Sequence, residues 1–460
     1  MPTPRRVVPY LAIGLLSAAT ASAQVGLVFN RTGSGARAAG MANAFIAISD
    51  DGTAASWNPA GLGQLRKPEI SIVSSTVGRT LSAAGFRTRD GLSTFTPMES
   101  SYQSTHLDFA SLAVPVTLWG RPVTFQASWR NLYCLDYREV VSTTREGLTP
   151  ESPPPARIDI NSDLVGSVNL VTFSAAVKVT SRLALGGGWN IWQGDWTQDD
   201  AINEVALSGT EAPRSLFVSQ TNRVRGDSFN FGAMLTYTRW SVGFLYQGPL
   251  SSDFRGDARA TLSGEPPRDP PAVEARLRFP QSFGAGAAYR PGASWTLALD
   301  FTWDEWTDTT ITSAEEGTIN IFDGLPPDRS STRNTLSLNG GAEKLFTGEG
   351  FVVPLRFGAA WEPQGGRSPY TRDPVNFVLL AAGTGYNTNS LKFDAAFQYR
   401  WTSFLDGAAF GLADSTIVLP SAVGERSIKD WRLKFSVILR VTDTDKLRRT
   451  FHKVFGGGES

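Results

Sequence analysis

The stretch Ser228–Tyr237, SFNFGAMLTY, puts Phe229, Phe231, Ala233, Leu235 and Tyr237 on one side and Ser228, Asn230, Gly232, Met234 and Thr236 on the other. That is period two, the spacing of a strand whose faces meet different surroundings, not the 3.6 of a helix. The pattern returns where Trp295, Leu297, Leu299, Phe301 and Trp303 alternate with Thr296, Ala298, Asp300, Thr302 and Asp304. It returns again over Leu391–Trp401, against Lys392, Asp394, Gln398 and Arg400, and over Trp431–Val441, against Arg432, Lys434 and Arg440.

A soluble sandwich and a membrane barrel both give one apolar and one polar face per strand. Row length separates them, because these rows run to about ten residues or more where soluble strands average about five or six. Several rows begin or end on Trp or Tyr, as girdles at two membrane interfaces would.

Composition agrees. The chain has 460 residues, 43 of them basic and 43 acidic, so no cationic excess is present to bind nucleic acid. The one cysteine, Cys134, excludes an intrachain disulfide and a Cys-based zinc site. With two histidines, His106 and His452, a His-rich metal centre is not expected either, nor any cofactor. Thirteen Trp and 27 Phe make the chain aromatic-rich, yet beyond the N-terminus no stretch approaches the ~18 consecutive apolar residues of a membrane helix.

Residues 1–23 carry Arg5 and Arg6, an apolar run from Val7 to Leu16, and Ala21-Ser22-Ala23. This is the order of a secretory signal peptide, with a twin-arginine signal as the alternative. Behind it lies Gly35–Leu62, GARAAGMANAFIAISDDGTAASWNPAGL, too apolar for a linker and too rich in small residues for an ordinary helix or strand. Small residues allow close backbone packing, and Asp50-Asp51-Gly52 and Asn58-Pro59 supply turns. The stretch reads as a compact plug.

Short links fall at Trp119–Pro122, Thr180–Arg182, Thr238–Arg239, Arg290–Ser294 and Asn387–Ser390. Long spans rich in Pro, Gly and charge alternate with them: Thr80–Ser104, Glu139–Ser162, Thr197–Arg223, Gly256–Glu274, Thr309–Ser331 and Gly407–Lys429. Tight periplasmic turns and long external loops have this asymmetry. The expected fold is all-β: a transmembrane antiparallel β-barrel of about fourteen strands over 67–441, with an N-terminal hatch over 24–66 in its lumen. A periplasmic tail over 442–460 follows, and an even strand number leaves both termini in the periplasm. The barrel is closed because hydrocarbon offers no partner to an unpaired edge.

At this point the chain resembles the FadL-type outer-membrane long-chain fatty acid transporter family. The resemblance rests on Gly35–Leu62, with Ala47, Asp50-Asp51 and Asn58-Pro59-Ala60. It rests also on Pro280, Gly284, Tyr289 and the Trp295 row, and on Arg356, Gly358, Gly383, Tyr386, Phe393-Asp394 and Tyr399. It implies passive uptake of a hydrophobic small molecule, a long-chain fatty acid or hydrocarbon, through a hatch-gated barrel in the outer membrane, with sideways exit through a gap in the wall. Outer-membrane lipid and the barrel assembly machinery are the implied partners. The chain departs from the family in continuing past its last strand. An internal signal at Phe435 or Val441, or a substitute at Phe451 or Phe455, would then serve assembly.

The expected hatch and gate residues are Gly35, Asp50, Asp51, Asn58, Pro59 and Ala60, with Pro115, which lacks an N–H, as the candidate for the gap in the wall. Trp192, Trp196, Leu216, Phe217 and Val218, in or beside the Thr197–Arg223 span, are candidates for a capture surface, with loop packing as the alternative. Of the late-strand charges Arg356, Glu362, Lys392, Asp394, Arg400, Arg432, Lys434 and Arg440, most should pair across a wet lumen. A cationic subset, Arg356 and Arg400 first, would hold a carboxylate head group.

Two further classes stay open: a structural or secretion-accessory barrel without transport, and a surface lipid hydrolase built on Ser104, His106 and Asp108. Side chains two apart on a strand sit roughly 7 Å apart, too far for a relay, so no catalytic residue is assigned. Gly186-Gly187-Gly188 lies inside a strand and suits packing against the hatch better than a phosphate loop. Asp443 and Asp445 are too few for a calcium site.

Overall fold

The computed structural model describes residues 32–88, 91–150, 152–209, 212–314, 317–368, 371–409 and 421–441. The expected signal peptide, the expected tail with Asp443 and Asp445, and the aromatics Phe451 and Phe455 lie outside them.

Fourteen antiparallel strands form a closed ring. In chain order they are β1 (Glu69–Thr88), β2 (Met98–Leu118), β3 (Arg121–Cys134 and Tyr137–Gly147), β4 (Ala156–Lys178), β5 (Leu183–Ala206), β6 (Arg214–Thr236) and β7 (Trp240–Gln247 and Leu250–Leu262). Then come β8 (Val273–Phe279 and Ser282–Gly292), β9 (Trp295–Asp304 and Thr310–Ser313), β10 (Thr335–Thr347), β11 (Val352–Arg367), β12 (Pro374–Asn387), β13 (Leu391–Ala409) and β14 (Ser421–Arg440). Each pairs with its neighbours in sequence, and β14 closes on β1 from Glu69↔Arg440 upward. At the seam Val441 N–H donates to the Pro68 carbonyl at 2.9 Å, so the barrel begins and ends at the same rim, the one with the short turns.

The period-two rows fall as their patterning requires. Phe229, Phe231, Phe244, Leu297, Leu299, Phe357 and Phe435 are exposed on the outer face although large and apolar, while Asn230, Thr296, Asp300 and Lys434 are buried inside. An apolar exterior around a polar interior is the inverse of a soluble sheet, and it suits hydrocarbon. At the short-turn rim Tyr237 stacks on Trp240 with ring centres 4.0 Å apart, and Lys344 Nζ lies 4.9 Å from the centre of Trp295.

Three of the spans expected as long loops, Thr80–Ser104, Glu139–Ser162 and Thr197–Arg223, are mainly strand. Thr80–Ser104 contains the end of β1 and the start of β2, and Thr197–Arg223 contains the outer end of the β5–β6 hairpin. Their ladders continue beyond the apolar band, where polar residues occupy both faces and hydropathy no longer alternates. The links at Gly348–Phe351 and at 368–373 were also not anticipated.

Residues 32–66 lie inside the ring near the short-turn rim. They form one helical turn, α1 (Ala36–Gly40), and two 3-10 turns, Ala54–Ser56 and Pro59–Gln64. With so little secondary structure, their backbone groups must find partners on the wall. Gln398 and Asn339 donate to the Ala39 and Ala42 carbonyls at 3.0 and 2.8 Å, and Ser241 donates to that of Ala47 at 2.7 Å. Gln126 and Ser111 both donate to the Gly52 carbonyl, at 2.6 and 2.8 Å.

Candidate functional site

The inner segment and the wall fit backbone against backbone. A Cβ on Gly186 would stand 2.5 Å from the Pro59 carbonyl carbon, one on Gly243 2.5 Å from the Ile46 oxygen, and one on Gly358 2.5 Å from the Met41 carbonyl carbon. Gly232, Gly341 and Gly383 make similar approaches to Asn58, Met41 and Gly40. Real Cβ atoms do not come so close, so this belt of the wall accepts glycine alone.

The residues expected to form the hatch lie in this inner segment, some bonded to the wall and some within the segment itself. Asn58 Nδ2 donates to the Ile46 carbonyl at 3.1 Å and, across to β6, to that of Ala233 at 3.2 Å. Its Oδ1 accepts the Ala60 N–H at 3.1 Å, capping the turn that Pro59 begins. Asp51 Oδ1 accepts the Thr53 N–H and hydroxyl at 2.9 and 2.6 Å. Gly35 has φ +116° beside the Thr53 side chain, a conformation that L side chains rarely adopt. Asp50 pairs with Arg37, whose guanidinium also reaches Glu343 of β10 at 3.1 Å. Burial works against the Asp50 charge, but Arg37, and Lys392 after it, hold its carboxyl below the ordinary value. Asp300 of β9 accepts the Phe45 and Ile46 N–H groups at 2.6 and 2.7 Å.

Arg356 is enclosed in this contact, 1% exposed, with Glu343 at 2.7 Å and Asp394 at 2.8 Å. It is a structural cation under the segment and has no free face for a head group. Arg400 pairs with Glu362 at 3.5 Å and with Asp430, which Arg79 also holds at 2.6 Å. Lys434 meets Asp108 at 2.8 Å, and Arg440 meets Glu69 at 2.9 Å. Arg432 is laddered on both sides through its backbone, but its guanidinium makes no ion pair or hydrogen bond among the described residues.

Above the segment is a cavity of about 150 Å³. Leu132, Tyr133, Leu135, Tyr137 and Leu164 line one side; Arg79, Arg400, Arg432, Lys434, Glu362 and Asp430 line the other, with Thr32, Gly33 and Asn43 of the segment also against it. The cavity is amphipathic, with Arg432 its unpaired cation.

Its apolar side continues into an interior cluster that includes Trp192, Val224, Leu250, Phe254, Phe279 and Trp306. Four wall strands are interrupted where this cluster forms: β3 at Leu135-Asp136, β7 at Gly248-Pro249, β8 at Pro280-Gln281 and β9 over 305–309. An interruption re-aims neighbouring side chains, and Leu135, Leu250, Phe279 and Trp306 all sit at one. Phe279 lies between Trp192 and Tyr133, with ring centres 6.1 and 6.3 Å away.

The expected capture surface is divided. Trp192 is inside, donating to Ser228 Oγ at 2.9 Å, and Trp196 packs against the same cluster beside Phe254. Leu216 and Val218 face inward higher up, packed with Ala260, while Phe217 between them is 43% exposed on the outer face. These three residues lie on β6 rather than on a loop, and strand parity separates them.

Pro115 sits opposite Thr124 in a ladder that runs unbroken from Phe109↔Arg130 to Leu118↔Arg121. The ladder between β2 and β3 stops beyond Phe109 and resumes only ahead of β2, where Ser93–Phe95 pairs with the Arg145–Gly147 end of β3. Between these stretches side chains bridge the two strands: Ser104 Oγ donates to Asp136 at 3.2 Å, Val140 N–H to Ser100 Oγ at 3.3 Å, and Tyr102 meets Tyr137 edge to face at 5.0 Å. Cys134 is at this break, against Ser104. Ser104 thus bonds to Asp136 and not to His106, whose nearest carboxylate oxygen, on Asp108, is 3.9 Å away; no hydrolytic relay is assembled.

A fourteen-stranded barrel stoppered by its own N-terminal segment is the architecture these residues define. It is the fold of FadL-type proteins. The chain is similar to a Pseudomonas aeruginosa FadL homologue, at TM-score 0.62 and 15% identity over 89% of this chain and 98% of that one. It is similar also to the Ralstonia pickettii toluene transporter TbuX, at TM-score 0.56 and 14% identity over 90% of this chain and 100% of that one. The Pseudomonas putida toluene transporter TodX gives TM-score 0.57 and 13% identity over the same shares. No protein-family model and no curated protein matches the chain.

Proposed function

We propose that the protein is an outer-membrane channel for passive uptake of hydrophobic compounds, long-chain fatty acids among them, with the N-terminal segment as its hatch. The observation that carries this reading is an interior amphipathic cavity between that segment and an unladdered stretch of wall. An apolar solute enters from the external rim and occupies the interior cluster, gaining roughly 25 cal/mol per Å² of apolar surface buried. A carboxylate, where present, is held by Arg432 with Arg400 and Lys434 beside it, charge-assisted and in a low-dielectric interior. The solute leaves sideways between β2 and β3, where few backbone bonds must open, once the hatch residues from Gly35 to Ala60 shift. We place the side opening there rather than at Pro115. Both termini lie in the periplasm, and the barrel assembly machinery inserts the chain.

Two measurements test the proposal: mass spectrometry of lipid co-extracted with the purified protein, and uptake of labelled oleate by cells with and without it. Uptake above the background of cells lacking the protein is expected. An empty lumen together with background uptake would refute transport and favour a structural barrel.

A further inference from the structure

The wall between β10 and β11 has a notch short of its external end. Their ladder stops at Leu338↔Trp361, although β10 begins at Thr335 and β11 continues to Arg367, and the two edges meet again where Arg333 N–H donates to the Gly365 carbonyl at 3.0 Å and Arg367 Nε to that of Ser331 at 2.8 Å. The notch is filled from inside by two aromatic side chains, Trp306 and Phe322, which meet edge to face at 5.6 Å. Their seat on β11 is Gly365-Gly366. A Cβ on Gly365 would stand 2.6 Å from Trp306 Cγ, and one on Gly366 3.2 Å from Phe322 Cδ1.

Trp306 differs from the other large residues of the interior cluster in what holds it. It belongs to a single 3-10 turn, Trp306–Asp308, placed where β9 is interrupted. Its indole N–H donates to Thr335 Oγ1 at 3.0 Å. Within the turn Asp308 N–H donates to the Glu305 carbonyl and Thr309 N–H to that of Trp306. Its ties outward are Glu305 N–H to the Gln281 carbonyl, Ile321 N–H to that of Thr309, the Thr307 N–H and hydroxyl to Asn334 Oδ1 at 3.0 and 2.9 Å, and Asn320 Nδ2 to the Thr307 carbonyl at 3.5 Å. A laddered strand leaves the wall only by losing a whole row of hydrogen bonds together; this turn would lose fewer. The side chain is nevertheless 2% exposed and covers the cluster that adjoins the cavity.

We propose that Trp306 and Phe322 form the inlet gate: their withdrawal from the Gly365-Gly366 seat opens the notch between β10 and β11 to an apolar molecule and leads it onto the interior cluster. This rests on the transport reading above. The gate sits on the far side of the barrel from the β2–β3 opening, so the two act at opposite ends of the solute's path. The seat itself, two rings on bare glycine backbone, favours apolar surface.

The geometry supplies the test. A Cβ on Gly366 would lie 3.8 Å from the Phe322 Cβ, and disulfides have a mean Cβ separation of about 3.8 Å. Phe322→Cys with Gly366→Cys, in a Cys134→Ser background, should pin the gate when oxidised. Crosslinking is followed by mass spectrometry of unreduced peptides, folding by heat-modifiable gel migration, and uptake with radiolabelled oleate in whole cells. Loss of uptake to the vector-only level on oxidation, with recovery in dithiothreitol, is the expected result. Trp306→Ala, which needs no crosslink, should raise the initial uptake rate. Crosslinked protein that takes up oleate as fast as its reduced form, or Trp306→Ala without a faster rate, would overturn the gate while leaving transport standing. Native protein with only vector-level uptake would overturn both.

Discussion

Asn58 and Gly232 occupy one another's space: a Cβ on Gly232 would stand 2.0 Å from the Asn58 Oδ1. Gly232→Val should therefore keep the inner segment from seating. Overpacking of this kind costs about 1–3 kcal/mol. The variant should insert as a barrel but show a raised conductance in planar bilayers and a lower midpoint of heat modification. Wild-type conductance with Gly232→Val would mean that the wall, not the segment, closes the bore.

The Arg37–Asp50 pair predicts acid opening. The Asp50 carboxyl is held below its ordinary value by Arg37 against the effect of burial, so its contribution is present above the unfolded carboxylate pKa and is lost as pH falls through the depressed folded one. Channel openings in bilayers should become more frequent below about pH 4. Asp50→Asn should already show them at neutral pH, with a flatter acid response.

Arg356 and Arg432 should separate stability from recognition. Arg356→Ala leaves Asp394 without its ion-pair partner in a buried contact, while Glu343 keeps Arg37, and removing one partner of a buried pair costs about 3–5 kcal/mol. It should lower thermal stability and affect oleate and hexadecane binding equally. Arg432→Gln, which breaks no ion pair among the described residues, should leave stability unchanged. It should weaken oleate about tenfold relative to hexadecane, the value of about 1.4 kcal/mol for a charge-assisted contact. Titration of purified protein with each ligand measures both.

Trp192 and Phe217 should divide in the same way. Trp192→Ala removes a ring from the interior cluster and should reduce binding of either ligand. Phe217→Ala changes only the outer face of β6 and should leave both affinities at the native value.

The barrel was legible because period two survives wherever one face meets hydrocarbon and the other water, as at Phe229–Tyr237. It was illegible above that band: around Asp199 and Asp200 both faces are wet, so ladder and loop look alike in hydropathy. The inner segment announced itself through its small residues. Its matching belt did not, because Gly186, Gly243 and Gly358 are far apart in sequence and acquire a common role only through register. The charges of the last strands were visible, but not the partners Asp108, Glu343 and Asp430, which register alone brings opposite them. The strand interruptions were the largest omission. An interruption shifts parity, so Leu135, Leu250, Phe279 and Trp306 fell out of the alternating rows and could not be assigned a face.

The glycine belt has a consequence for the shape of the bore. Where a wall position carries a side chain, such as Gln398 or Asn339, that chain takes up room in the bore; at Gly186, Gly243 and Gly358 the wall is bare backbone. Vacated by their occupant, those positions are bounded by peptide groups that need not change rotamer. An excursion of residues 35–60 thus frees the space beside them at once, with no wall side chain there to swing in behind it.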